Sequence, residues 1–434
     1  MAIRQLIGAG VWLVLTAGAC THPAQRLERG TDDRLVVSPT SDPKVRDDDI
    51  AFYERRLTED PQSAMDRSRL ALLLLARARE TGSVTDIDRA EHLCQESLQL
   101  RESHNAGTYS ILASARLAKH DFIGARTAAE RLVDSDPESP TARALLGEVQ
   151  LELGNYQAAS EIFTQLESHT SELSVASRLV RWYELTGHLD RARTLARYVA
   201  RRALDEGNLS REQVAWFQMR AGDLAVKRGD LSAADTAYQT GLSIFPDDYR
   251  ILAAQARVAA ARHDWRSAIA KGEAATAIQL DPATLGLLAD AWRALGDSAQ
   301  GASYEKAMTT SALTQPGAIH RAWGLYLLDH RRRVDEVLVR LRRELRTRHD
   351  VYGYDLLAWG LHRQGDDRQA WQAMQRALAQ GTEDAQLAYH AAVIARTLGK
   401  ATDAAQQVRQ MAAWNPSYQG PLNLAAGPGD TGSR

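Results

Sequence analysis

Ser139 to Leu166 reads SPTARALLGEVQLELGNYQAASEIFTQL. Two amphipathic segments flank Gly154-Asn155-Tyr156. Glycine at that point ends the first segment as a helix. Gly147 lies seven residues before Gly154 and Ala159 lies five after it. Small residues on facing sides let two helices approach closely. Tyr156 sits where an apolar side chain can pack under the turn. The stretch therefore predicts two helices joined by a tight turn.

The signature recurs along the chain. Its turns are His120-Asp121-Phe122, Gly154-Asn155-Tyr156, Gly187-His188-Leu189, Gly229-Asp230-Leu231, His263-Asp264-Trp265, Gly296-Asp297-Ser298, Gly365-Asp366-Asp367 and Gly399-Lys400-Ala401. Successive turns start 34, 33, 42, 34, 33, 69 and 34 residues apart. The longest interval spans one degenerate turn near Arg331. The 42-residue interval is one unit with an insertion near Asp205 to Arg211. Ala125, Ala159, Ala192, Ala234, Ala268, Gly301, Ala370 and Ala404 keep the offset of five. Pro137, Pro246, Pro282 and Pro416 close units, because proline cannot continue a helix. The reading is nine units, plus a diverged first one at about Ser63 to Leu100. A fixed period of this length marks a repeat array.

This pattern resembles the tetratricopeptide repeat. Leu146-Gly147, Gly154-Asn155-Tyr156, Ala159 and Phe163 fit one unit. Gly222, Gly229-Asp230-Leu231, Ala234, Tyr238, Gly241-Leu242 and Pro246 fit another. The resemblance implies an all-α fold, a right-handed α-solenoid of about nine to ten helix pairs over residues 51–416. First helices would line a concave groove that holds peptides or partner surfaces. In that register the groove residues are Arg181, Trp216, Met219, Asp223, Arg250, Arg257, Asp290, Arg293, Arg321, Tyr352, Asp355, Trp359, Tyr389 and Arg396. Arginines and aromatics of this kind anchor protein interfaces. The alternative for Trp216 and Trp359 is packing between repeats. The Lys/Asn carboxylate clamp of chaperone-tail-binding repeats is missing from these positions.

Composition agrees with a folded helical chain. Hydrophobic residues make up 44%, charged residues 25% and aromatics 6%, with Ala, Leu and Arg abundant. Ala, Leu and Arg lose little freedom in a helix. The net charge of -2 offers no global field for nucleic acid. No apolar run reaches the roughly 20 residues that span a bilayer. Cys20 and Cys94 are the two cysteines, which excludes a disulfide framework and a cysteine-based zinc cage.

Catalytic motifs are missing. Gly399-Lys400 lacks the upstream Gly and the following Ser/Thr of a phosphate loop. There is no His-Glu-x-x-His, Gly-x-Ser-x-Gly or Cys-x-x-Cys. The histidines are scattered, with no second metal ligand spaced to join any of them. The sequence thus predicts no enzyme, no cofactor and no metal. An enzyme with an unrecognised site would need a catalytic domain of about 100 residues, and the period leaves no room for one.

Met1 to Ala19 has the parts of an export signal: Arg4, an apolar Leu6 to Leu15, and Ala17-Gly18-Ala19 as a cleavage site. Leu15-Thr16-Ala17-Gly18-Ala19-Cys20 resembles a bacterial lipoprotein signal, in which the cysteine is acylated and becomes the mature N-terminus. Ala17 stands where that family usually has Leu, and plain cleavage after Ala19 is the alternative. Thr21 in place of Asp implies the outer membrane, with the protein facing the periplasm. Residues 20–50 read as a flexible tether and 417–434 as a disordered tail.

Two basic runs stand out. Arg331 to Arg348 carries eight arginines against Asp335, Glu336 and Glu344. Arg191, Arg193, Arg197, Arg201 and Arg202 form the second. Each is either a solvated helix face with pairs such as Glu336 to Arg340, or a surface for an anionic partner or membrane. Asp350 to Trp359 resembles the penultimate repeat of exported bacterial repeat proteins that accompany metal permeases. The expected function is a lipid-anchored adaptor of the cell envelope that binds other proteins. The alternative is an accessory subunit of a transporter or of a secretion, pilus or polysaccharide export machine.

Overall fold

The computed structural model describes residues 42–314, 321–418 and 420. The expected signal segment, Cys20 and most of the tether and tail lie outside the described residues. Among the described residues the chain forms twenty-one helices and no strand. Helix α1 (Pro43–Glu59) precedes ten pairs. The first pairs are α2 (Ala64–Thr81) with α3 (Val84–Leu100), α4 (Ala106–Ala118) with α5 (Phe122–Ser135), and α6 (Pro140–Leu153) with α7 (Tyr156–Leu166). Next come α8 (Leu173–Leu185) with α9 (Leu189–Asp205), α10 (Arg211–Lys227) with α11 (Leu231–Ile244), and α12 (Tyr249–Ala261) with α13 (Trp265–Ile278). Then follow α14 (Pro282–Ala294) with α15 (Ser298–Thr314), and α16 (Arg321–Asp329) with α17 (Val334–Glu344). The last pairs are α18 (Val351–Gln364) with α19 (Asp367–Leu378), and α20 (Ala385–Thr397) with α21 (Ala401–Trp414).

Each expected turn begins with a residue at positive φ, including the degenerate one at Arg331 (φ 52°). His120 and His263 adopt the same conformation without being glycine. The acidic residue after the turn residue has a role that the sequence reading did not assign. Asp121, Asp230, Asp264, Asp297 and Asp366 each accept a backbone N–H from the first turn of the second helix, at 2.9–3.1 Å. Such a cap satisfies one of the orphan donors of a helix N-terminus. The insertion near Asp205 is absorbed largely as helix: α9 and α10 each run 17 residues.

Two boundaries differ from expectation. Residues 43–50 are helical rather than tether. Asp42 caps the helix at Lys44 N (2.8 Å), Pro43 sits in its first turn, and Ile50 is buried. The segment lacks clear periodicity because few of its residues face the array. Ser417 and Tyr418 belong to the described fold rather than to the expected tail, since Tyr418 packs edge-on against Tyr389, 6.2 Å between centroids.

The small residues are where the helices touch. An added Cβ at Gly222 would lie 2.4 Å from Tyr238 Cε1, and the Tyr238 hydroxyl is fixed by donating to Asp223 at 2.8 Å. In an open helix Gly→Ala stabilises by about 1 kcal/mol. At this site overpacking costs about 1–3 kcal/mol. Gly222→Ala is therefore expected to lower the melting temperature. An unchanged or raised value would show that the ring has room.

The array also closes on itself. Gln279 Nε2 donates to Gly82 O (3.3 Å), His349 N to Leu153 O (2.8 Å), and Val351 N to the Tyr156 hydroxyl (2.9 Å). Thr382 Oγ1 donates to Leu185 O, and Asn415 Nδ2 to Val226 O (3.2 Å). Partners in four of these contacts are 197, 195, 197 and 189 residues apart. A near-constant separation is what a superhelix produces when its second turn rests on its first. One hydrophobic core runs through this seam, joining Leu151, Tyr156 and Leu185 to Val351, Leu361 and Leu387.

Candidate functional site

Closure of the seam leaves an interior cavity of about 450 Å³. Of the expected groove residues, Arg181, Met219, Asp223, Arg250, Arg257, Arg321 and Tyr352 line it. They come from α8, α10, α12, α16 and α18. The helix-pair register had brought these positions together, and the seam gathers them around one cavity that remains partly open to solvent, with Arg257 itself exposed.

The wall is a network of charge held in place by burial. Glu184 of α8 is 2% exposed and receives Lys227 (2.8 Å), Arg220 (2.9 Å) and Arg181 (3.1 Å). Burial alone would raise its pKa. Lys227, Arg181 and Arg220 more than reverse this and hold it well below the usual carboxylate range. Lys227 crosses the seam to Asp384 (3.2 Å) and donates to the Tyr352 hydroxyl (2.8 Å). Burial would also raise Asp384, and Lys227 and Arg321 instead keep it low. Arg250 is held by Asp248 (2.6 Å) and Glu212 (2.7 Å). Arg348 joins the two superhelical turns through Glu152 (3.3 Å), Glu344 (2.9 Å) and Asp350 (3.0 Å).

Arg257 differs from these. It faces the cavity and makes no hydrogen bond, ion pair or ring contact among the described residues. Two carboxylates that line the same cavity are occupied. Asp223 accepts from Tyr238 and Arg220, while Asp281 accepts from Ala283 N, Thr284 N and the Thr284 hydroxyl. Ala253, Ala275, Ala283, Ala322 and Gly353 keep the floor open.

Other expected residues do not reach the cavity. Trp216 is 4% exposed and packs in the α9–α12 core, edge-on to Phe217. Trp359 is 1% exposed, donates Nε1 to Asp329 (2.8 Å) and stacks on His390 at 4.2 Å. Their register matches that of cavity arginines, but an indole gains more by burial than a guanidinium does. Each ring therefore turns to a neighbouring pair. Asp355 is fully buried between His390 Nδ1 (2.7 Å) and Arg321 (3.0 Å). Asp290 is buried against His330 Nε2 (2.9 Å). Arg293 pairs with Glu305 and Asp290. Tyr389 packs on Trp359 and Tyr418, and Arg396 is exposed elsewhere.

Sequence reasoning missed Arg220, Arg348 and Glu152 on the wall. Arg220 directly follows Met219, and Arg348 ends the long basic run. In that run Arg340 does pair with Glu336, at 3.3 Å. Cys94 is a buried free thiol in the N-terminal core. Among the described residues no group of three or more His, Cys, Asp or Glu is placed to hold a metal, and no helix is long and apolar enough to cross a membrane.

Residues 112–168 match the family model described as tetratricopeptide repeat. No curated protein matches the chain. Among solved structures, YrrB, titled a TPR protein with an unusual peptide-binding site, is 18% identical, with a TM-score of 0.27. That match covers 46% of this chain and 96% of YrrB. PilW, titled a widely conserved type IV pilus biogenesis factor, is 16% identical over 49% of this chain and 96% of its own, with a TM-score of 0.40. A human IFIT1 dimer with PPP-AAAA is 15% identical over 68% and 71%, with a TM-score of 0.37. At these scores none of the three bears on what this chain binds. The matched residues fall on the α4–α7 pairs, and the same turn and small-residue signature continues to Gly399: the chain carries tetratricopeptide repeats.

Proposed function

We propose that the protein is a non-enzymatic scaffold that holds an extended segment of a partner protein inside its closed superhelix. It does so tethered by lipid on Cys20 to the outer membrane of a bacterial envelope, facing the periplasm. The tetratricopeptide fold supports a role in protein–protein interaction. The observation that carries the interior reading is Arg257, which lines the cavity and has no ion-pair partner among the described residues, whereas the other lining arginines are matched. A segment entering the cavity with a carboxylate would complete the pairing, and a cavity of about 450 Å³ favours an extended chain over a folded surface.

The test is crosslinking of tagged protein in its native envelope, wild type against Arg257→Glu. Loss of one co-purifying protein by on the order of 10-fold or more is expected for reversal of an interfacial charge. A partner retained undiminished would place recognition outside the cavity. If the partner is an integral permease, the transporter-accessory reading is the one to pursue. The tether is tested separately by labelled palmitate, which is expected to enter wild type and not Cys20→Ala.

A further inference from the structure

The second helix of the eighth pair carries a stripe that the cavity does not use. Val339, Arg342, Arg343 and Arg346 recur at i, i+3, i+4 and i+7 and are all exposed. This spacing puts them on one face of α17 and its C-terminal extension. Val339 is 66% exposed, the most exposed large hydrophobic side chain among the described residues. None of the three arginines has an ion-pair partner among the described residues. Arg346 donates only to Arg343 O of its own turn (3.4 Å). The acids of this helix are spent elsewhere: Glu336 on Arg333 and Arg340, Glu344 on Arg348, and Asp335 on Gln364. Arg331, and Arg332 in its pair with Glu305 (3.1 Å), are exposed at the helix start.

We infer that this stripe is a docking surface for an anionic phospholipid membrane. Its chemistry is that of a headgroup layer's complement: clustered cations without acids, and one aliphatic side chain placed to reach the acyl boundary while the guanidiniums stay among phosphates. A protein hot spot would instead present aromatic rings around its arginines, and this face has none. Docking here would set the orientation of the solenoid on the membrane to which the proposed lipid tether on Cys20 would hold it. The inference does not depend on what the cavity binds.

The experiment is co-sedimentation of the full chain carrying Cys20→Ser, so that no acyl group contributes. Vesicles of phosphatidylcholine with phosphatidylglycerol are compared with pure phosphatidylcholine. The protein is expected to pellet with the anionic vesicles only, and less as salt rises. Combined Arg342→Glu, Arg343→Glu and Arg346→Glu is expected to reduce partition on the order of 100-fold. The corresponding triple Lys variant is expected to keep binding, because a membrane reads charge whereas a bidentate protein contact needs the guanidinium. All substituted positions are exposed, and circular dichroism checks that each variant is folded. Failure of wild type to pellet, or equal pelleting of the Glu variant, overturns the inference. Binding to polyglutamate without binding to vesicles would also overturn it and assign the stripe to an acidic protein.

Discussion

Glu184→Ala is expected to destabilise the fold by about 3–5 kcal/mol, the cost of leaving buried charges without their partner. Three cations, Arg181, Arg220 and Lys227, converge on this one carboxylate, which is almost wholly out of water. Removing it leaves them facing one another across α8 and α10. Urea denaturation followed by circular dichroism measures the loss, and Glu184→Gln separates charge from shape. A change below about 1 kcal/mol, as for a surface pair, would mean that water reaches the cluster. The same carboxylates give a pH dependence. Glu184 and Asp384 are both held below their ordinary range in the folded state. Their contribution is therefore fully present above the unfolded carboxyl pKa of about 4 and is lost as pH falls through the folded values. Acid should weaken the wild type more than Glu184→Gln, which lacks one of the two groups.

Gly154→Ala is expected to cost more than Gly365→Ala, although both glycines close first helices at positive φ, 81° and 94°. Either alanine carries the left-handed backbone penalty of about 1–2 kcal/mol. At Gly365 the new Cβ meets nothing within 4 Å. At Gly154 it would lie 2.4 Å from the carbonyl carbon of His349, across the seam. The further cost is about 1–3 kcal/mol of overpacking. It should be accompanied by a larger radius of gyration in small-angle scattering, because the two superhelical turns are wedged apart. Equal losses at the two positions, with no expansion, would show that the seam does not confine the interior.

The helix pairs were legible because everything that specifies them is local. A turn residue tolerant of positive φ, a capping Asp, and small residues at fixed offsets act within about one repeat, so their spacing in the chain is their spacing in the fold. The degenerate unit at Arg331 could be placed because the period required it. The site was legible only in part. The register identified Arg181, Arg250, Arg257, Arg321 and Tyr352 as inward-facing, since inner-face positions recur with the repeat. It could not rank an indole against a guanidinium at equivalent positions, and Trp216 and Trp359 went to the core. Arg348 looked like one more solvated arginine until Glu152 was brought to it from 196 residues away.

The sequence by itself thus determined the helices, their pairing, the period and the inward register, because these depend on contacts between neighbours. The meeting of the two superhelical turns, the cavity between them and the lack of an ion-pair partner for Arg257 among the described residues emerge only in three dimensions. Those properties arise from small rotations accumulated over about six repeats, and no local pattern records their sum.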